Sequence, residues 1–419
     1  VLSADLLVEN AAELVTLAGG NDRPRVGPAL GRLGIVRGGA VAAAEGQIVA
    51  AGPTAEVKET VRLAPHARVI DASGCVVLPG FVDAHTHLVF AGTRAHEFEM
   101  RLRGASYLDI AATGGGILST VAATRAVDED TLVRIGAAHL DRMLACGTTT
   151  AEAKSGYGLS VDDELKMLRA VHRLSAQHPV DLVATVLAAH AVPPEFAGSP
   201  DGYVDLVVGE ILPAVAVEDL AEFCDAFCDV GAFTLEQGRA VLEAGGALGM
   251  VPKLHADEFA DLGGARMAAE LGAISADHLL HASDAGLASM AEAGTMAVLL
   301  PGTAHFLGLP HARARRMIEM GMAVALATDF NPGTCPTWSM PTVISLACTG
   351  MKMTPAEAIA AGTINAAWAI GMAEEVGSLE PGKAADLVVL DVPDHRGIAM
   401  HLGAPLVRQV VKRGQVVVG

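Results

Sequence analysis

The chain has 419 residues, 51% of them hydrophobic and 18% charged, with a formal net charge of −19 at pH 7. That composition supplies ample apolar surface for a large core and excludes a disordered chain. The acidic balance excludes nucleic acid or an anionic membrane as the main partner, because phosphate binding needs a basic face.

The N-terminal VLSADLLVENAAELVT carries acidic residues and no basic stretch ahead of an apolar core, so it does not read as a secretory signal. No initiator Met is present, which leaves open whether residues precede Val1. Residues 1–76 hold short β-type runs, LLVEN, GIVRG, AVAAAEGQIVAAG and ARVIDASG, separated by Gly and Pro. Residues 376–419 resume the style with ADLVVLDVP and LVRQVVKRGQVVVG. The expectation is one small β-sandwich built from both ends of the chain.

Residues 77–375 alternate between compact apolar strands and longer amphipathic helices, the pattern of βα units around a parallel sheet. The strand candidates, in order, are FVDAHTH, GTTTAEAKS, LVATVLAAH, FCDAFCD, VPKLHADE, AISADHLLH, MAVLLPG and AVALATDFNPG. They predict an α/β fold, a (β/α)8 TIM-type barrel. An open doubly wound sheet is the alternative, but its glycine-rich dinucleotide fingerprint is missing. Every apolar run is cut by Gly, Pro or a charge before the roughly 18 residues a spanning helix needs. Six cysteines in so long a chain do not form a disulfide framework, and a cytoplasmic protein is expected. Cys224 and Cys228 stand in an apolar run and read as buried thiols.

Ionisable residues fall at the C-terminal ends of the strand candidates, where barrel active sites form. His85 and His87 are two apart, so strand alternation turns both imidazoles to one face and begins a metal site. Glu152 with Lys154, His190, His255, His278 with His281, and Asp329 follow on later strands. One such histidine is ordinarily a satisfied core residue; several strands ending this way point to chemistry. Lys154 reads as a structural ion pair with a barrel carboxylate at least as readily as a catalytic group. GGGI at 114–117 lacks the following Lys and Ser or Thr of a phosphate loop and reads as a loop near the site mouth. The basic PHARARRM at 310–317 reads as the start of a solvated helix.

The DAHTH run after PGF, the HADE, ADH and ATDFNPG segments and the closing GSLEPGKAADLVVLD resemble the amidohydrolase superfamily. More narrowly, FAGTRAHEFEMRLRGASY, GGGILSTVAATR, AEAKSGYGLS, AAHAVP, KLHADEFADLGGA, ISADHLLH and LATDFNPGT closely resemble the imidazolonepropionase family, hydrolases of histidine degradation. The likeness runs from about residue 75 to 390. It implies a single metal held by His85, His87, His255 and Asp329, a ligand set that suits Zn2+ and that Fe2+ also accepts. FCDAFCD has no Lys to bridge a second metal, so one metal per chain is expected.

The same resemblance implies 4-imidazolone-5-propanoate, a small anionic molecule, as substrate, and a homodimer as the assembly. Glu258 becomes the general acid/base, His278 a partner for the attacking water or the polarised carbonyl, and Asp329 a further proton acceptor. Arg94 would grip the propanoate, a role an acidic protein must assign to a dedicated cation. Tyr157 and His190 would contact substrate, and Asn331, Gly333 and Thr334 would line the pocket. Ala84 replaces a Pro common in relatives, and His305 and Trp338 are bulkier than the likeness suggests. Another ring hydrolase or a nucleobase deaminase would use the same metal set, but a propanoate-binding cation is useless for a neutral base. A non-catalytic barrel is the remaining alternative, and the complete ligand set argues against it.

Overall fold

The computed structural model describes residues 2–20, 22–105, 110 and 114–419. Ser106 and Tyr107, which close the FAGTRAHEFEMRLRGASY segment, lie outside these. The chain opens with β1 (Leu2–Ala11), β2 (Glu13–Val15), β3 (Ile35–Val36), β4 (Gly39–Ala44), β5 (Gln47–Pro53), β6 (Val61–Asp71) and β7 (Val76–Pro79). It closes with β16 (Leu387–Leu390), β17 (Val407–Lys412) and β18 (Gln415–Val418). One sheet has the order β5-β4-β1-β6, and a second has the order β18-β17-β16-β7-β2-β3. The second joins both ends of the chain, with Val76 opposite Leu390 and Pro79 opposite Leu387.

Alternation along these strands explains the packing. Leu6 and Val8 of β1, Val41 and Ala43 of β4, Val77 of β7, Leu387 and Val389 of β16 and Val411 of β17 all turn inward to one buried cluster between the sheets. The expected sandwich of both termini is therefore present.

Between the two ends run β8 (Phe81–Asp83), β9 (Thr148–Lys154), β10 (Asp181–Ala189), β11 (Phe223–Cys228), β12 (Val251–Ala256), β13 (Ser275–His278), β14 (Met296–Leu299) and β15 (Val324–Leu326). Each falls within one of the predicted strand segments, except that β10 begins one residue earlier, at Asp181, and neighbours pair in parallel in chain order. The seam between last and first closes beyond the strand ends. Thr86 bridges Phe330, Asp329 N–H donates to His85 O at 3.0 Å, and His87 N–H donates to Phe330 O at 2.9 Å. The sheet is thus a closed TIM-type barrel.

Several of the intervening helices begin at capped ends. Asp128, Ser160 and Thr234 each accept a backbone N–H of the first turn, and Gln237 completes a capping box with Thr234. The predicted solvated helix forms at Ala314–Glu319, where Arg313 and Arg316 pair with Asp284. All six cysteines are free, with Cys224 and Cys228 buried. Among the described residues no helix is long and apolar enough to cross a membrane.

Candidate active site

The strand ends bring the predicted metal ligands together. His85 and His87 follow β8 with Nε2 atoms 3.5 and 3.4 Å from Asp329 Oδ1. Ligands on a tetrahedral ion with bonds of about 2.0–2.1 Å stand about this far apart. His255, in β12, packs its ring 4.5 Å from that of His85 and 5.6 Å from that of His87. Nε2 of His85 and Nε2 of His255 are buried and carry no hydrogen bond. Buried polar atoms are normally paired, so such a cluster of bare nitrogens beside a carboxylate fits a cation. Burial foremost, then neighbouring cations, hold His85 and His87 well below the ordinary imidazole range, in the neutral form a metal requires.

The other nitrogens of His85 and His255 face carboxylates, while Nδ1 of His87 is buried without a hydrogen bond. His85 Nδ1 donates to Asp277 Oδ2 at 2.6 Å, and His255 Nδ1 lies 2.9 Å from Asp225 Oδ2. Such contacts select the tautomer and aim the opposite nitrogen. Asp329 Oδ2 accepts from Thr303 Oγ1 at 2.5 Å, which turns Oδ1 toward the two histidines.

Glu258 and His278 sit beside the ligands. Glu258 is 5% exposed, and its Oε1 is 3.6 Å from His278 Nδ1. Burial foremost, with Asp329 and Asp229 nearby, pushes the Glu258 carboxyl well above its ordinary range. Burial pulls His278 down to about 3, so its ring is neutral. The backbone N–H groups of Glu258 and Phe259 both donate to Asp229 Oδ2, at 2.7 and 2.9 Å, and fix the chain where Glu258 enters the site.

The predicted substrate residues fall in two groups, Tyr157 and His190 against His87, and Arg94 against the loop of Asn331, Gly333 and Thr334. Tyr157 is buried, with its ring 5.9 Å from His87 and 5.3 Å from His190. His190 stacks on His87 at 5.1 Å, and its Nδ1 donates to Gly156 O, leaving Nε2 unprotonated. Arg94 is paired through Nε with Glu97 Oε2 at 2.8 Å. Asn331 spends its side chain on its own loop: Oδ1 accepts from Gly333 and Thr334 N–H, and Nδ2 donates to Asp329 O. The structure therefore gives Asn331 a loop-shaping position and sets Gly333 against Arg94. Trp338 packs on Phe330 and under the Arg142 guanidinium.

Several residues of this site were not singled out in the sequence. Asp277 precedes His278, and strand alternation sends adjacent side chains to opposite faces. His278 has φ +74° and Leu279 +57°, left-handed values that break the alternation and let both neighbours reach the centre. Asp329 does the same at φ +54°. Lys253 could have been found from spacing alone, since it lies two residues before His255 on the same face of β12.

Profiles of the amidohydrolase family match residues 216–417 and 68–136. An imidazolonepropionase of Symbiobacterium thermophilum is 56% identical over 416 residues, covering 99% of this chain and 97% of the relative. One of Geobacillus kaustophilus is 54% identical over 414 residues, covering 99% and 98%. Among solved structures, an Escherichia coli guanine deaminase superposes with a TM-score of 0.75 at 16% identity, covering 98% of this chain and 99% of that one. A Xanthomonas campestris adenosine deaminase with bound zinc gives 0.70 at 20% identity, covering 100% and 93%. The structural likenesses speak for the fold alone. The sequence relatives, alike from end to end, carry the assignment: this chain belongs to the imidazolonepropionase family within the metal-dependent amidohydrolase superfamily, and it is a hydrolase.

Proposed function

We propose that the protein hydrolyses the ring amide C–N bond of 4-imidazolone-5-propanoate and releases N-formimidoyl-L-glutamate, a step of histidine degradation. The observation that carries this is that, at the C-terminal end of the barrel and in a member of this family, His85 gathers with His87 and Asp329 on one side and with His255 and His278 on the other, with Glu258 beside His278. His85, His87, His255 and Asp329 would hold one divalent metal, Zn2+ by the chemistry of three imidazoles and a carboxylate, with Fe2+ the alternative the same donors accept. When bound, the metal supplies a water acidified from 15.7 towards about 7 and a Lewis acid for the ring carbonyl.

The protein's own groups do the rest. Arg94, its Nε already taken by Glu97, presents its terminal nitrogens to the propanoate. Tyr157 and His190 hold the ring, and the loop shaped by Asn331 places Gly333 and Thr334 beneath the product's carboxylate or formimidoyl end. His278, neutral and held by strained backbone, hydrogen-bonds the carbonyl oxygen or the attacking water. Glu258 accepts the proton of the attacking water at a carboxylate oxygen and returns it to the leaving ring nitrogen. Burial raises its affinity for the proton it carries between the two. Asp329 is a further acceptor during the attack. The family likeness also supports a homodimer working in the cytoplasm.

The test is a steady-state assay of imidazolonepropanoate against a panel of nucleobases, with elemental analysis of the same preparation. Turnover of the imidazolone with one metal per chain is expected. Turnover of a nucleobase and none of the imidazolone ends the assignment.

A further inference from the structure

The barrel lumen holds a fully buried ammonium that the chemistry above does not use. Lys154, the last residue of β9, is 0% exposed, and its Nζ lies 2.8 Å from Glu152 Oε1, 2.8 Å from Asp225 Oδ2 and 3.8 Å from Asp277 Oδ2. Burial alone would lower its proton affinity, but Asp225, Glu152 and Asp277 together more than reverse that, so it stays charged.

Two of these oxygens also touch a candidate ligand histidine. Asp277 Oδ2 is the atom that accepts from His85 Nδ1, and Asp225 Oδ2 is the atom beside His255 Nδ1. Asp225 also accepts the His255 backbone N–H through Oδ1 at 3.2 Å. One ammonium therefore touches both carboxylates that anchor two of the four candidate ligands. Glu152 has other support, from Thr185 Oγ1 and from Lys253 Nζ at 3.5 Å. Among the described residues, Lys154 is the only lysine or arginine within 4.0 Å of Asp225 or Asp277.

We propose that Lys154 is a positioning residue for the metal centre, holding Asp225 and Asp277 in place so that His255 and His85 present their Nε2 atoms to the ion. The proposal rests on the reading that these histidines bind metal. A carboxylate released from its cation swings or draws its histidine after it, and outer partners of this kind are worth about 10–100-fold in metal affinity. The alternative is an ion pair that stabilises the barrel and nothing more.

The experiment compares Lys154→Met with Lys253→Met. Lys253 is an equally buried lumen lysine that contacts Glu152 and Ala369 O; its charge acts on Asp277 as that of Lys154 does, but it touches neither Asp225 nor Asp277, so it separates contact from the field of a nearby charge. Zinc affinity is measured by competition with a chromogenic chelator, and Tm is measured for zinc-loaded and zinc-free protein. A purely structural lysine lowers both Tm values together and leaves the zinc Kd unchanged. The expected result is a Kd raised about 10–100-fold in Lys154→Met, with a narrowed gap between loaded and free Tm, and a Kd within about twofold of wild type in Lys253→Met. A wild-type Kd in Lys154→Met overturns the proposal, and so does an equal rise in both variants. Should Lys154→Met not fold, Lys154→Gln, which keeps a donor for Asp225 without the charge, is held to the same outcomes. Wild-type protein that binds no stoichiometric zinc or iron overturns the metal-centre reading itself, and this proposal with it.

Discussion

A Cβ at Gly333 would lie 2.0 Å from Arg94 Nη1, so a side chain there would push the guanidinium aside, while the Gly333 carbonyl accepts from Arg101 Nη2 at 2.9 Å. Two guanidiniums thus bracket one residue of the NPGT loop. Replacing Arg94 by Ala should mainly raise KM, since the grip on the propanoate is made in ground and transition states alike. A collapse of kcat at fixed KM would show that the arginine has a different job. Glu258→Gln tests the proton shuttle. Metal content should be unchanged and kcat should fall by roughly 10² or more, the usual scale for a positioned proton-transfer group. Metal lost from that variant would make Glu258 a ligand.

Among the elements, the segment carrying Tyr157 depends on one carboxylate. Glu164, fully buried in the first turn of the helix Val161–Gln177, accepts the N–H groups of Gly156 at 3.2 Å and of Gly158 and Leu159 at 2.8 Å. Gly156 sits at φ +101°, and a Cβ there would meet Leu187 O at 2.8 Å, so only glycine fits this turn. Glu164→Ala leaves three buried donors without a partner and should cost about 3 kcal/mol or more, read by denaturant unfolding, with KM raised because Tyr157 loses its seat. The loop's identity as AEAKSGYGLS was plain in the sequence, but its dependence on Glu164 was not, because the contact forms only when the chain turns back. The barrel strands were legible for the opposite reason. Their apolar runs and polar C-terminal ends are local patterns, and the pairing of His85 with His87 follows from alternation alone. Asp277 escaped because its usefulness depends on a left-handed backbone at His278 that no periodicity announces.

Across the whole molecule, one lysine fastens the terminal sheets to the barrel. Lys412, at the end of β17 and 4% exposed, places Nζ 2.6 Å from Asp181 Oδ2 at the start of β10 and 2.5 Å from Asp386 Oδ2. Breaking a buried pair by removing one partner costs about 3–5 kcal/mol. Lys412→Met should therefore lower Tm clearly while leaving kcat near wild type well below the transition, since the site lies at the other end of the strands. A matching loss of kcat at low temperature would mean that the terminal sheets help to shape the site.

The sheet shared by both termini has a consequence for how the protein is made. Val76–Pro79 leaves the ribosome with each of its four residues destined for burial, long before the strand that covers it, Leu387–Leu390, is translated. Domains usually complete themselves from the N-terminus as they emerge, and this one must wait until the whole barrel between the two strands has been made. Throughout translation its bare edge is open to chaperones and to neighbouring nascent chains.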